Sequence, residues 1–160
     1  MTVHPIGTKM LLVFFTIGLI TIIIIISSAG MVLGDLVTAA IPVGEFPQAL
    51  VFNPSNNNIY VANRDSGTVS VIDSTNNTLL ENVVVGSEPV ALEFNPSNND
   101  IYVANVVSNS VSMIASTNNT VTETVNVNGL PIALEFSPSN DSVYVAGTLT
   151  GTEGFVSIIR

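Results

Sequence analysis

Cysteine and tryptophan are missing from this 160-residue chain, and histidine occurs once, as His4. Without cysteine there are no disulfides, no thiolate metal sites and no cysteine nucleophile. With a single histidine at the extreme N-terminus, Ser-His-Asp catalysis and multi-histidine metal centres are excluded within one chain. Basic residues are almost as scarce. Three Lys+Arg stand against twelve Asp+Glu, for a formal net charge of −9. Phosphate binding needs clustered Lys/Arg, so no nucleic-acid partner is expected. No cofactor and no enzymatic activity are expected either, since no catalytic constellation is visible.

What the chain does have is apolar. Apolar residues make up 47% and charged residues 9%, with a mean hydropathy of +0.57. A disordered chain is less hydrophobic and more charged. The hydrophobicity is concentrated first between Met10 and Gly34, where no residue is charged. A helix of about 20 apolar residues spans a bilayer, and this stretch is long enough. Lys9 precedes it, Asp35 follows it, and no further basic residue appears until Arg64. The positive-inside rule then gives a cytoplasmic N-terminus over 1–9, a transmembrane anchor or signal helix over 10–34, and an exported remainder. Ser27-Ser28-Ala29 supplies a small-residue cleavage site if the segment is a signal peptide. The chain is thus expected in the cell membrane with residues 35–160 outside, or secreted after cleavage.

Residues 35–160 hold a 42-residue repeat. Ala49–Asn57 recurs as Ala91–Asn99 and again, with changes, as Ala133–Asp141. Pro47, Pro89 and Pro131 keep the same phase, as do Tyr60, Tyr102 and Tyr144. Between 43–84 and 85–126 about two-thirds of positions are identical. Each copy reads as four short strands, A to D. In the first copy these are Ala49–Phe52, Ile59–Ala62, Thr68–Ile72 and Leu79–Val85, with Asn-rich turns after A and C. Strand B is apolar without alternation, which implies burial on both faces. Four strands per repeat of this length predict an all-β fold of β-propeller blades.

Tyr60-Val61-Ala62-Asn63 and Tyr102-Val103-Ala104-Asn105, with Val69–Asp73 and Val43-Gly44…Pro47 beside them, resemble the signature of the YVTN-family β-propeller repeat. The likeness covers residues 36–160. It implies an exported or surface-layer-like protein, related in fold to lactonase-like propellers. The third copy departs from the pattern, with Gly147 where the others have Asn and three extra residues before Phe155.

Leu36–Val43 has the phase of a D strand, so the expected order is D, ABCD, ABCD, ABC: twelve strands in three blades. Propellers usually have four to eight blades. Three resolutions stand side by side: a homodimer forming a six-bladed ring, a fragment of a longer propeller, or an open arc that binds a larger partner.

Candidate site residues are few. Glu93 and Glu135 share a phase on strand A and are weak candidates for a cation such as Ca²⁺, although a solvated acidic channel rim is the better reading of them. Asp65 and Asp73 have no acidic counterparts in the second copy and read as loop acids. Asn63 and Asn105 close strand B and read as turn-bonding residues, and the three tyrosines as blade packing. Asn76, Asn118 and Asn140 head Asn-x-Ser/Thr sequons, glycosylation candidates on an exported chain. The leading expectation is a surface structural or binding module with an unknown ligand. The alternatives are a lactonase-like metal-dependent hydrolase using Glu93 and Glu135, or a non-functional fragment.

Overall fold

The computed structural model describes residues 10–17, 20–27, 36–149 and 153–160. The chain divides into two units, Met1–Thr38 and Ala39–Arg160. In the first, β1 (Met10–Ile17) pairs antiparallel with β2 (Ile20–Ser27), Phe14 opposite Ile23. The helix expected over 10–34 is therefore corrected to a hairpin across the part described; 18–19 and 28–34 lie outside it. Every residue from Ile20 to Ile26 is β-branched, and such side chains favour the pleated strand over the helix. Among the described residues no helix is long and apolar enough to cross a membrane.

The second unit is a series of three antiparallel meanders. The first sheet comprises β3 (Pro47–Asn53), β4 (Asn58–Asn63), β5 (Thr68–Asp73) and β6 (Thr78–Val84), in that order. The second comprises β7 (Pro89–Asn95), β8 (Asp100–Asn105), β9 (Ser110–Ala115) and β10 (Thr120–Asn126). The third has three strands, β11 (Leu130–Ser137), β12 (Ser142–Thr148) and β13 (Gly154–Ile159). Register repeats with the sequence: Val51 faces Tyr60, Glu93 faces Tyr102, and Glu135 faces Tyr144. Each A strand also carries a bulge after its proline, at Gln48, Val90 and Ile132.

The turns use asparagine as the sequence implies. Asn57, Asn77, Asn99 and Asn119 have φ between 55° and 62°, a left-handed conformation that asparagine tolerates better than most residues. Asx turns lock the chain ahead of them. Asn53 Oδ1 accepts the Ser55 N–H at 2.8 Å, and Asn95 Oδ1 accepts that of Ser97 at 2.9 Å.

Two apolar layers hold the sheets together. Between the first and second sheets lie Tyr60, Val69, Val71 and Val83 on one side and Ile101, Val103 and Ile114 on the other, flanked by Leu92 and Phe94. Between the second and third lie Tyr102, Val111 and Met113 against Val143 and Val145, flanked by Leu134, Phe136 and Ile159. Adjacent residues of β8 thus point into different layers, Ile101 and Val103 one way and Tyr102 the other. This explains why strand B is apolar throughout. Each buried Val or Ile contributes about 1.5–3 kcal/mol relative to exposure.

Leu36–Val43 is not a strand, so the D, ABCD, ABCD, ABC order is corrected to eleven strands in this unit. In the internal copies the D strand pairs with strand C of the sheet before it in the chain. Among the described residues no such sheet precedes β3, and Leu36–Val43 pairs with no strand.

Candidate functional site

Glu93 lies on β7, half-buried, and its Oε1 accepts the backbone N–H of Phe136 on β11 at 3.2 Å. Burial pushes its carboxyl above the usual 4.5; the Phe136 N–H opposes that shift and the charge of Glu135 adds to it. Glu135 is exposed on β11. The two glutamates are therefore neighbours on adjacent A strands, but one is committed to a backbone amide. Among the described residues no cluster of three or more Asp, Glu, His or Cys is assembled. The pair alone offers fewer oxygens than the six to eight that Ca²⁺ takes.

Asn63 and Asn105 are fully buried and tie strand B to strand C rather than to a turn. Asn63 Nδ2 donates to Ser70 Oγ at 2.8 Å, and Asn105 Nδ2 to Ser112 Oγ at 2.9 Å. Glycine is needed opposite each of them. A Cβ on Gly44 would lie 2.7 Å from Asn63 Cγ, and one on Gly86 would lie 2.6 Å from Asn105 Cγ. The third copy inverts this pairing: Asn128 stands at the glycine position and Gly147 at the asparagine position. At Gly147 the Phe155 ring fills the space, 2.6 Å from where a Cβ would be.

The tyrosines are packing residues with bonded hydroxyls. Tyr60 is fully buried; its hydroxyl donates to Asn119 Oδ1 in the β9–β10 turn at 2.8 Å and accepts from Asn56 Nδ2 at 3.1 Å. Asn98 and Asn140 donate likewise to Tyr102 and Tyr144. Asp65 is exposed. Asp73 closes an Asx turn on the Thr75 hydroxyl at 2.6 Å and the Thr75 N–H at 2.8 Å, and these bonds hold its carboxyl below the ordinary value.

The three sequons are not equivalent. Asn76 and Asn118 sit on exposed turns, each Oδ1 accepting from the hydroxyl of its own sequon threonine, at 2.6 Å and 2.8 Å. Asn140 is exposed, but its sequon serine, Ser142, is buried.

Sequence reasoning missed two features. One is the Arg64–Glu88 ion pair at 2.6 Å, in which Arg64 also stands 5.7 Å from the Phe46 ring centroid. Phe46 and Glu88 occupy the same repeat position, and both have positive φ, 54° and 53°. The other is an uncharged groove of ≈ 350 Å³ beside Gly86, lined by Ser108, Ser110, Ser112, Thr124 and Asn126. The serine and threonine alternation on strands C and D is its only sequence signal.

No family model and no curated protein matches the chain. Among solved structures it is similar to hydrazine synthase of Kuenenia stuttgartiensis, at 22% identity and a TM-score of 0.66, over 81% of this chain and 36% of that one. It is also similar to the dihydro-heme d1 dehydrogenase NirN, at 13% identity and a TM-score of 0.62, over 75% of this chain and 27% of that one. The β-propeller domain of Myceliophteria thermophila Cps50 (Swd1) matches at 13% identity and a TM-score of 0.58, over 74% of this chain and 40% of that domain. The chain thus spans well under half the length of each of these structures. The likeness is one of fold: the three antiparallel meanders of this chain are β-propeller blades.

Proposed function

We propose that the chain is an exported propeller module, held at or released from the outer face of a membrane, that serves as a surface structural or binding element. The observation that carries this reading is the charge-free stretch from Met10 to Gly34, with Lys9 before it and all twelve acids after it. The blades carry only Arg64 and Arg160 as basic residues, a charge balance suited to an extracytoplasmic surface and not to nucleic acid. The finer kinship with YVTN-type repeats rests on Tyr60–Asn63 and Tyr102–Asn105, and agrees with this role. Lipid offers no water to the outer edges of a two-stranded hairpin. Insertion therefore requires residues 10–27 to become helical in the bilayer, where every backbone group is paired internally. Deleting residues 1–33 moves the protein from the membrane fraction to the cytoplasm on this reading. An unchanged location would contradict it.

The raised carboxyl of Glu93 beside Glu135 favours one second reading, a metal-dependent hydrolase, since perturbed carboxylates mark active sites as well as structural pairs. Metal analysis of the purified protein separates the two. Stoichiometric Ca²⁺ or Mn²⁺ lost on Glu93→Gln supports the hydrolase, and its absence supports the structural module.

A further inference from the structure

The two apolar layers inside the chain are the same interface made twice. Tyr60, Val69, Val71 and Val83 of the first sheet are matched, one repeat later, by Tyr102, Val111, Met113 and Val125 of the second. The surfaces they meet correspond as well: Leu92, Phe94, Ile101 and Val103 become Leu134, Phe136, Val143 and Val145. Among the described residues both halves of this interface then occur once more, unpartnered. The first sheet presents Leu50, Phe52 and Leu79 at the positions of Leu92, Phe94 and Val121, and Leu50 is 68% exposed. The third sheet presents Tyr144, Val156 and Ile158 at the positions of Tyr102, Val111 and Met113, and Val156 is 65% exposed.

We propose that these two open faces close on a second copy of this chain, the first sheet of each copy packing on the third sheet of the other. Two three-bladed arcs then form a six-bladed ring, within the usual four to eight. The contact is head-to-tail, and it closes rather than running on as a filament because three blades make up half of a six-bladed ring. The repeat also fixes polar contacts across the new junction. Glu93 accepts the Phe136 N–H between the second and third sheets; one repeat on, Glu135 accepts the Phe52 N–H of the second copy. Tyr60 donates to Asn119; by the same step Tyr144 donates to Asn77 of the second copy.

The unpaired segment Leu36–Val43 completes the arrangement. It has the phase of β6, with Ile41 at the position of buried Val83, and it leads into the first sheet just as β6 leads into the second. Across the junction it supplies an outer strand along the edge of β13 that no described strand pairs. Pro42 stands at the position of Val84. The next residue, Val85, points its N–H at Gly67 O, just ahead of strand C, so the N–H at Val84 points outward and proline there forfeits no ladder bond.

The test is the mass of the full-length chain in mild detergent, by size-exclusion chromatography with light scattering corrected for bound detergent. The wild type should run as two chains, twice 16.8 kDa. Leu50→Glu and Val156→Glu, each at a side chain exposed within one copy, should each give a folded single chain by circular dichroism. Glu135→Val should weaken the dimer about 25-fold, since each of its two junctions loses one hydrogen bond worth about fivefold. Val107→Asp, which copies Asp65 in a loop, should leave the mass at two chains. A single-chain mass for the wild type overturns the proposal and leaves the open faces to another partner, such as further blades. A two-chain mass unmoved by Leu50→Glu and Val156→Glu overturns it too, placing the contact elsewhere.

Discussion

The Glu93 carboxylate accepts the backbone N–H of Phe136, 43 residues away, and so stitches two neighbouring sheets along their first strands. The bond satisfies an amide on a strand edge that no other strand pairs. Its cost is a partly buried charge. In the first copy Val51 takes this place and offers no acceptor, so the stitch belongs to the later copies.

A pH dependence follows. Burial raises the folded-state pKa of Glu93 above its ordinary 4.5, so the native state holds this proton more tightly than the unfolded chain. Stability therefore rises as pH falls through the raised value, and levels off below 4.5. Asp100, also raised by burial, acts in the same direction. Urea midpoints should be higher at pH 5 than at pH 7. Glu93→Gln keeps the acceptor and should shrink that difference, whereas Glu93→Val leaves the Phe136 amide unpaired and should cost about 1 kcal/mol.

Gly86 and Asn105 form a size-matched pair. Gly86→Ala puts a methyl against the buried asparagine and should destabilise the fold by about 1–3 kcal/mol, as overpacking does. Adding Asn105→Gly opens the space, the combination the third copy uses in inverted form. A double-mutant cycle by urea unfolding should show coupling of at least about 0.5 kcal/mol; strict additivity would mean that the two positions do not touch.

Tyr60→Phe removes the hydroxyl that joins Asn56 to Asn119 across two sheets. The loss should be about 1–2 kcal/mol in unfolding free energy. Tyr144→Phe breaks only the bond with Asn140 within one copy, and in a single chain should cost less than Tyr60→Phe.

Much of this architecture was legible in the residues. The phase of Pro47, Pro89 and Pro131 fixed the A strands, and the Asn-Asn pairs fixed the left-handed turns, because few residues accept positive φ. The double burial of strand B followed from Ile101–Ala104 having no polar alternation. Two elements were misjudged for one reason: each depends on a partner that periodicity does not reveal. The Ile20–Ile26 run is apolar enough for a membrane helix and β-branched enough for a strand, and only its surroundings decide. Leu36–Val43 has a strand's phase but pairs with no described strand. The site was less legible. The sequence marks Glu93 only as a weak cation candidate with Glu135; its acceptor role needs a strand one full repeat away, and nothing marks Arg64 as the partner of Glu88.

The sequons make a sharper prediction than their motif. Expressed in a host that N-glycosylates exported proteins, the chain should show glycan mass shifts at Asn76 and Asn118. Asn140 should stay unmodified, because its Ser142 hydroxyl is buried. Peptide mass spectrometry before and after glycosidase treatment reads each site separately.

The most direct measurement of the export reading uses the absence of cysteine. Thr117→Cys places one thiol on an exposed turn of the second blade, and Thr2→Cys places one ahead of the apolar segment. A membrane-impermeant maleimide applied to intact cells should label the first variant and not the second, with both labelled after lysis. Protection of Thr117→Cys until lysis would place the blades in the cytoplasm and contradict the account.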